Sequence, residues 1–359
     1  MSDRKSTVVA SVWPPRYIRE RQSQHIRKLP YRYQQVGVIA LALVLVVLPL
    51  AGANDFWVTI LITTFISVVG AIGLNFLSGF SGQISLGQAA FLAVGAYTVA
   101  VLSGRYGMPF WVSLPAAAVV TAIVSVAIGI PTLRLRGFYV AMVTFTFHFF
   151  VQTVLSRWEL TGKQTGIAVD RPIIAGIDLL DDRRFYYFVL AICALMVYLA
   201  FTIERGFMAR AWGAIRDRDL AAAAVGIPIA RYKLLAYMWS GLYVGVAGGL
   251  LAWYFTYLTP ENFPFLLAVS YLGMILIGGM GVVLGSILGA IFVLLVPEVV
   301  RIGADFAGEY VVLPVTFLAD VQLVVFGLLI VATVVYAPRG LFGFWQDTKK
   351  YFRNWPFTY

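Results

Sequence analysis

The sequence predicts an all-α, polytopic integral membrane protein of about ten transmembrane helices, with the N- and C-termini cytoplasmic. Three observations predict it. Of 359 residues, 60% are hydrophobic and only 12% charged, with a mean hydropathy of +0.85, where an ordinary globular chain is about 25% charged. Apolar runs recur at lengths near the roughly 20 residues that a helix needs to cross the hydrocarbon layer, and helices close their backbone hydrogen bonds within each such segment. Lysine and arginine gather in alternate loops, the pattern of a chain whose basic loops stay in the cytoplasm.

The first 35 residues are polar and basic, with Trp13, Pro14 and Pro15 in their middle. They are expected to form a cytoplasmic N-terminal segment. The first apolar run begins only at Val36, too late for a cleaved signal peptide. A membrane domain is expected over 36–336, with candidate spans at about 36–52, 56–77, 83–103, 110–131, 137–156, 185–203, 233–258, 264–281, 282–300 and 321–336. Residues 337–359 follow as a cytoplasmic tail.

Charge tests this count. With the N-terminus inside, the cytoplasmic side collects eight basic residues from the N-terminal segment, then Arg134 and Arg136, then Arg205, Arg210, Arg216, Arg218, Arg231 and Lys233, then Arg339, Lys349, Lys350 and Arg353. That is twenty of the 27 lysines and arginines. The other seven, Arg105, Arg157, Lys163, Arg171, Arg183, Arg184 and Arg301, face outward, mostly beside acids such as Glu159, Asp170, Asp181 and Asp182. The net charge of +10 follows from this asymmetry. Basic tails meet anionic headgroups, and no nucleic-acid partner is called for.

Several chemistries are disfavoured. The single cysteine, Cys193, permits no intrachain disulfide or cysteine metal cluster. With only His25 and His148, neither a metal site nor a hydrolase triad is expected, and the chain is read as non-enzymatic. "TGKQTG" at Thr161–Gly166 is not a phosphate loop, because Gln164 stands where Ser or Thr must follow the lysine. No cofactor is expected in this chain, so any ATP and Mg must be bound by a partner. The central parts of the spans contain no Asp, Glu, Lys or Arg, which disfavours an ion-coupled carrier.

Polar residues inside the oily runs are the candidate translocation pathway. Thr144, His148 and Gln152 recur every fourth residue and form one stripe, which either lines a passage or bonds to neighbouring helices. In "GFSGQISLGQ", Gly79–Gln88, a helical path would put Ser81, Ser85 and Gln88 on one face. That segment either turns the chain or, with Gln83, lines the inner part of a polar route. Two glycine stripes, Gly241, Gly245, Gly249 and Gly281, Gly285, Gly289, have the spacing of helix-packing seams.

Between the sixth and seventh spans lies a 204–232 loop. Arg210–Ala224 is made of helix formers, Gly226 stops the helix and Pro228 delays the next one. Composition allows a knob for a partner's groove or a helix lying on headgroups. The run "DLAAAAVGIPIARYKLLAY" resembles the cytoplasmic coupling loop of ABC-importer permeases: Ala221, Ala222 and Gly226 match, while Leu220 replaces the usual acid and Asp219 lies one residue earlier. With Arg216 and Pro228 these form the candidate ATPase coupling loop.

Over about Leu74–Leu341 the chain is similar to the permeases of high-affinity branched-chain amino-acid ABC importers, through "GLNFLSGFSGQISLGQAAFLAVGAY", "RGFYVAMVTFTF", "LTGKQTGI" and "LIGGMGVVLGSILGA" in the family's order. "LTGKQTGI" departs from the family's form at Lys163 and Thr165. The resemblance implies a second, homologous permease, two cytoplasmic ATP-binding subunits, an extracytoplasmic substrate-binding protein and residence in a bacterial inner membrane. Urea, short amides or aromatic carboxylates are alternative substrates of similar-looking systems.

Overall fold

Twenty residues from Asp55 to Leu74 form α1, which runs on through a wider π-helical turn, Asn75–Phe80. Every residue from Thr64 to Phe80 is buried. A helix apolar on all sides belongs at the centre of a bundle, and α1 does lie there. The computed structural model describes residues 43–49, 54–135, 137–174, 177–308 and, beyond these, 324, 327–328, 331–332, 335, 340–345 and 348. The N-terminal 35 residues, Arg136, and most of the expected spans at 36–52 and 321–336 and of the 337–359 tail lie outside the described residues. Contacts divide the chain at Gly52; residues 43–47 of the first unit are helical, and everything below belongs to the second, Ala53–Tyr359.

After α1 the chain unwinds over residues 81–87, then re-enters a helix as α2, Gln88–Val99, with its own π turn Ala100–Arg105. α3 (Phe110–Thr132) and α4 (Phe138–Arg157) follow. A connection with short strands β1 (Ile167–Ala168), β2 (Ile173–Ile174) and β3 (Ile177–Asp178) leads to α5, Asp182–Glu204, where the Asp181 carboxylate accepts from the Arg183 backbone N–H. α6 (Phe207–Asp217) and α7 (Asp219–Ala224) make the next connection, then α8 (Ile229–Phe255), β4 (Tyr257–Leu258), α9 (Phe265–Gly278) and α10 (Val283–Gly308). β1 pairs antiparallel with β4, and β2 with β3.

Six described helical runs are long and apolar enough to cross a membrane: Asp55–Phe80, α3, α4, α5, α8 and Pro260–Gly278, the last including α9. α10 has a shorter apolar part, Val283–Glu298. The bundle is layered around α1 and α8, with α2 and α3 against α8, and α5, α9 and α10 against α1. Large apolar side chains on α3, α4 and α5, among them Val119, Ile123, Phe150 and Leu195, are exposed, a surface stable in lipid and not in water.

Glycine sets the closest approaches. A Cβ on Gly241, Gly245 or Gly249 would lie 2.5–2.8 Å from atoms of α3. On Gly289 it would lie 1.8 Å from the Met274 carbonyl, and on Gly285 2.3 Å from that of Gly279, so these two face α9 and its end. Gly281 differs from expectation. Its φ of +80° is left-handed, and it stands in the turn before α10, not on that helix.

Helix starts also shift. α2 begins at Gln88, later than the expected 83, because backbone groups of 83–87 are taken up by the side chains of Ser78, Ser85 and Thr144 and not by a helical ladder. α8 begins at Ile229, directly after Pro228, which is well suited to precede a first turn. The single helix expected over Arg210–Ala224 is two, broken at Arg218, whose backbone is extended.

Candidate functional site

The candidate site is built from the unwound stretch 81–87, which lies between helices and has no helical ladder for its backbone. Buried backbone groups need partners, and the serines supply them. Ser78 Oγ donates to the Gln83 carbonyl (3.1 Å) and accepts from the Ser85 N–H (3.3 Å). Ser81 Oγ donates to the Leu77 carbonyl (2.8 Å) and accepts from Gln83 Nε2 (2.9 Å), while Ser85 Oγ accepts from the Gly87 N–H. Ser81, Ser85 and Gln88 therefore do not share a helix face. All four candidate residues here, with Gln83, are buried.

Two bonds tie the far end of the stretch to the bundle. The Leu86 N–H donates to Thr144 Oγ1 on α4 (2.9 Å), and Gln88 Nε2 donates to the Gly70 carbonyl on α1 (2.9 Å). Gln88 Oε1 has no hydrogen-bond partner among the described residues. The rest of the α4 stripe points elsewhere along the same face. His148 is fully buried against Phe149 and Phe265, and neither ring nitrogen has a partner among the described residues. Gln152 Nε2 donates to the Phe263 carbonyl (3.0 Å).

The near end meets the α6–α7 pair. Arg216 Nη1 donates to the Gly79 carbonyl (2.6 Å). One turn earlier, Trp212 is fully buried against Phe76 and Phe80 and donates to the Tyr232 carbonyl (2.8 Å). Asp219 pairs with Lys233 of α8 (2.9 Å), a bridge that fastens α7 to the following helix. Ala222 is buried, Ala221, Gly226 and Pro228 are exposed, and Leu220 and Val225 are 77% and 76% exposed. Gly226, φ +84°, ends α7 as a left-handed residue. A cavity of about 240 Å³ lies beside this contact, lined by Ser81, Gly82 and Gln83 and by Arg216, Asp219 and Lys233.

At the opposite end of the bundle the basic residues expected to face outward are largely paired. Arg171 bonds Asp182 (2.6 Å) and lies over the Phe185 ring, Lys163 bonds Glu159 (3.0 Å), and Arg301 bonds Glu298 (2.9 Å). "LTGKQTGI" wraps tightly there: Gly162, Lys163 and Gly166 all have positive φ, and Tyr257 Oη donates to the Thr165 carbonyl.

Residues 56–334 match a family described as "Branched-chain amino acid transport system / permease component". The chain belongs to this permease family. Two curated relatives, the high-affinity branched-chain amino acid transport system permease proteins LivM of Salmonella typhimurium and of Escherichia coli K12, are each 31% identical over 334 residues, covering 86% of this chain and 75% of the relative. No solved structure matches the chain. As a member of a transport permease family with several membrane-spanning helices, it is a multi-pass membrane protein that works with other transport subunits.

The permease fold also recruits residues that sequence reasoning passed over. Asn75 Nδ2 donates to the Val282 carbonyl (2.8 Å) and Ser286 Oγ (2.7 Å), and its Oδ1 accepts from the Gly281 N–H (2.9 Å). It thus clamps the π turn of α1 to the turn before α10. Glu204 Oε1 accepts from the Val283 N–H (3.1 Å), at the start of α10. Asn75 had a readable signal, a lone amide in the apolar run "GAIGLNFL". Glu204 had none, since its partner is 79 residues away.

Proposed function

We propose that the chain is a non-catalytic permease subunit of an ABC importer, pairing with a second, homologous permease to form the pathway for branched-chain or related amino acids. The observation that carries this reading is the junction of α6–α7 with the unwound stretch. An exposed, alanine-rich knob with apolar Leu220 and Val225 at its tip suits a partner's groove, and its inner side reaches the polar segment through Arg216. Family membership, and the relatives' printed role in branched-chain amino acid transport, support the same assignment.

In this reading two cytoplasmic ATP-binding subunits bind ATP and Mg and grip Arg216–Pro228; an extracytoplasmic binding protein delivers substrate at the end that holds Lys163 and Tyr257. Ser81, Gln83, Ser85, Gln88, Thr144, His148 and Gln152 line the pathway in the conducting conformation. The chain spans a bacterial inner membrane about ten times with both ends cytoplasmic. The test is reconstitution of the co-expressed subunits in proteoliposomes, with ATP-dependent uptake of leucine as the expected result. A chain that purifies with no ATPase, or takes up substrate on an ion gradient alone, sinks the proposal. Competition by urea, short amides or aromatic carboxylates, and not by leucine, reassigns the substrate class.

A further inference from the structure

We propose that Arg216 is a positioning residue: its side chain, with the aliphatic stem against Gly82 and the guanidinium against Gly281 and bonded to the Gly79 carbonyl, passes movement of α6–α7 to the unwound stretch 81–87. The inference rests on the importer reading above and adds the part through which force travels.

Gly79 lies near the C-terminal end of the α1 helical run, where carbonyls lose their helical partners and the helix dipole is negative. A guanidinium complements both, and Arg216, although exposed to one side, brings Nη1 to 2.6 Å from that carbonyl in a charge-assisted bond. The seat is specific. A Cβ on Gly82 would lie 2.7 Å from Arg216 Cγ, and one on Gly281 2.6 Å from Nη1. Both glycines have left-handed φ, so backbone closes on the side chain from two sides where other residues would be strained.

Among the described residues this is the one hydrogen bond that joins α6 or α7 to the 75–87 stretch. Trp212, buried one turn earlier against Phe76 and Phe80, makes α6 a rigid arm over the same π turn. The stretch continues to Thr144 and Gln88, so a displacement at Gly79 reaches the candidate pathway through a few bonded residues. Packed interiors resist such shifts, but the cavity bordered by Ser81, Gln83, Arg216 and Lys233 leaves room for one. Lysine keeps the charge but not the guanidinium that packs on Gly281 while bonding Gly79, and its flexible stem transmits movement less directly.

The measurement is the number of substrate molecules imported per ATP hydrolysed by the reconstituted complex, with assembly checked by size exclusion. For Arg216→Ala the ratio is expected to fall about tenfold or more, the scale of one charge-assisted hydrogen bond. Gly82→Ala, which pushes a methyl group at Arg216 Cγ, is expected to lower it too, and the double variant to be no worse than the poorer single one. An assembled Arg216→Ala complex with a ratio within about twofold of wild type overturns the proposal. So does full coupling in Arg216→Lys, since a point charge would then suffice. If Arg216→Ala does not assemble, Gly82→Ala decides, and wild-type coupling in it is fatal. A wild-type complex without ATP-dependent import instead fails the importer reading itself, and this inference with it.

Discussion

His148 holds two ring nitrogens fully buried with no hydrogen-bond partner among the described residues, an arrangement that costs about 1–3 kcal/mol per unsatisfied group. Replacing it by phenylalanine removes that cost and keeps ring contact with Phe265. The expected outcome for His148→Phe is a complex at least as heat-stable as wild type but with reduced uptake. Unchanged uptake assigns the histidine to packing. Gln88→Leu deletes the hydrogen bond that Gln88 Nε2 donates to the Gly70 carbonyl between α2 and α1. It is expected to slow transport without preventing assembly, and normal transport would return 79–88 to the role of a turn. The period of four that aligned Thr144, His148 and Gln152 was readable in the chain. Their partners, Leu86, Phe265 and Phe263, were not, because periodicity reports a face and not what the face meets.

Among elements, the π turn of α1 and the turn before α10 depend on each other. Asn75 makes three hydrogen bonds across that boundary, and Gly79 approaches so closely that a Cβ there would lie 2.5 Å from the Gly281 nitrogen. Asn75→Leu leaves the Gly281 N–H and Val282 carbonyl without it. We expect a loss of about 2–4 kcal/mol, read as a lower thermal unfolding midpoint of the purified protein; a midpoint equal to wild type would refute the clamp. Gly289→Leu should be worse than Gly213→Leu, since a Cβ on Gly289 meets the Met274 carbonyl and one on Gly213 meets nothing within 4 Å. Equal expression and stability of the two variants would contradict the α9–α10 seam. Glycine spacing showed which helices approach closely, yet it also enrolled Gly281, whose role is a left-handed turn. Spacing alone does not distinguish a helix position from a turn two residues before its start.

At the scale of the molecule, the 159–182 connection and α6–α7 lie at the two ends of α5, and loop charge predicts that the first faces outward and the second the cytoplasm. Cys193 is buried, so single cysteines introduced elsewhere report sidedness. Glu159→Cys is expected to react with a membrane-impermeant maleimide in intact cells, and Val225→Cys only after permeabilisation; the reverse order inverts the proposed orientation. The sequence by itself determined the helical membrane class and the approximate places of the apolar spans among the described residues, because lipid burial acts on composition and spacing. It also carried the polar stretch 79–88. Only tertiary structure decided that residues 81–87 of it are unwound, that nearby serines satisfy part of its backbone, and that Arg216 reaches its Gly79 from 137 residues away. Those outcomes depend on left-handed glycines and on which carbonyls lose their helical partners, and a partner so distant in the chain leaves no periodic trace in either segment.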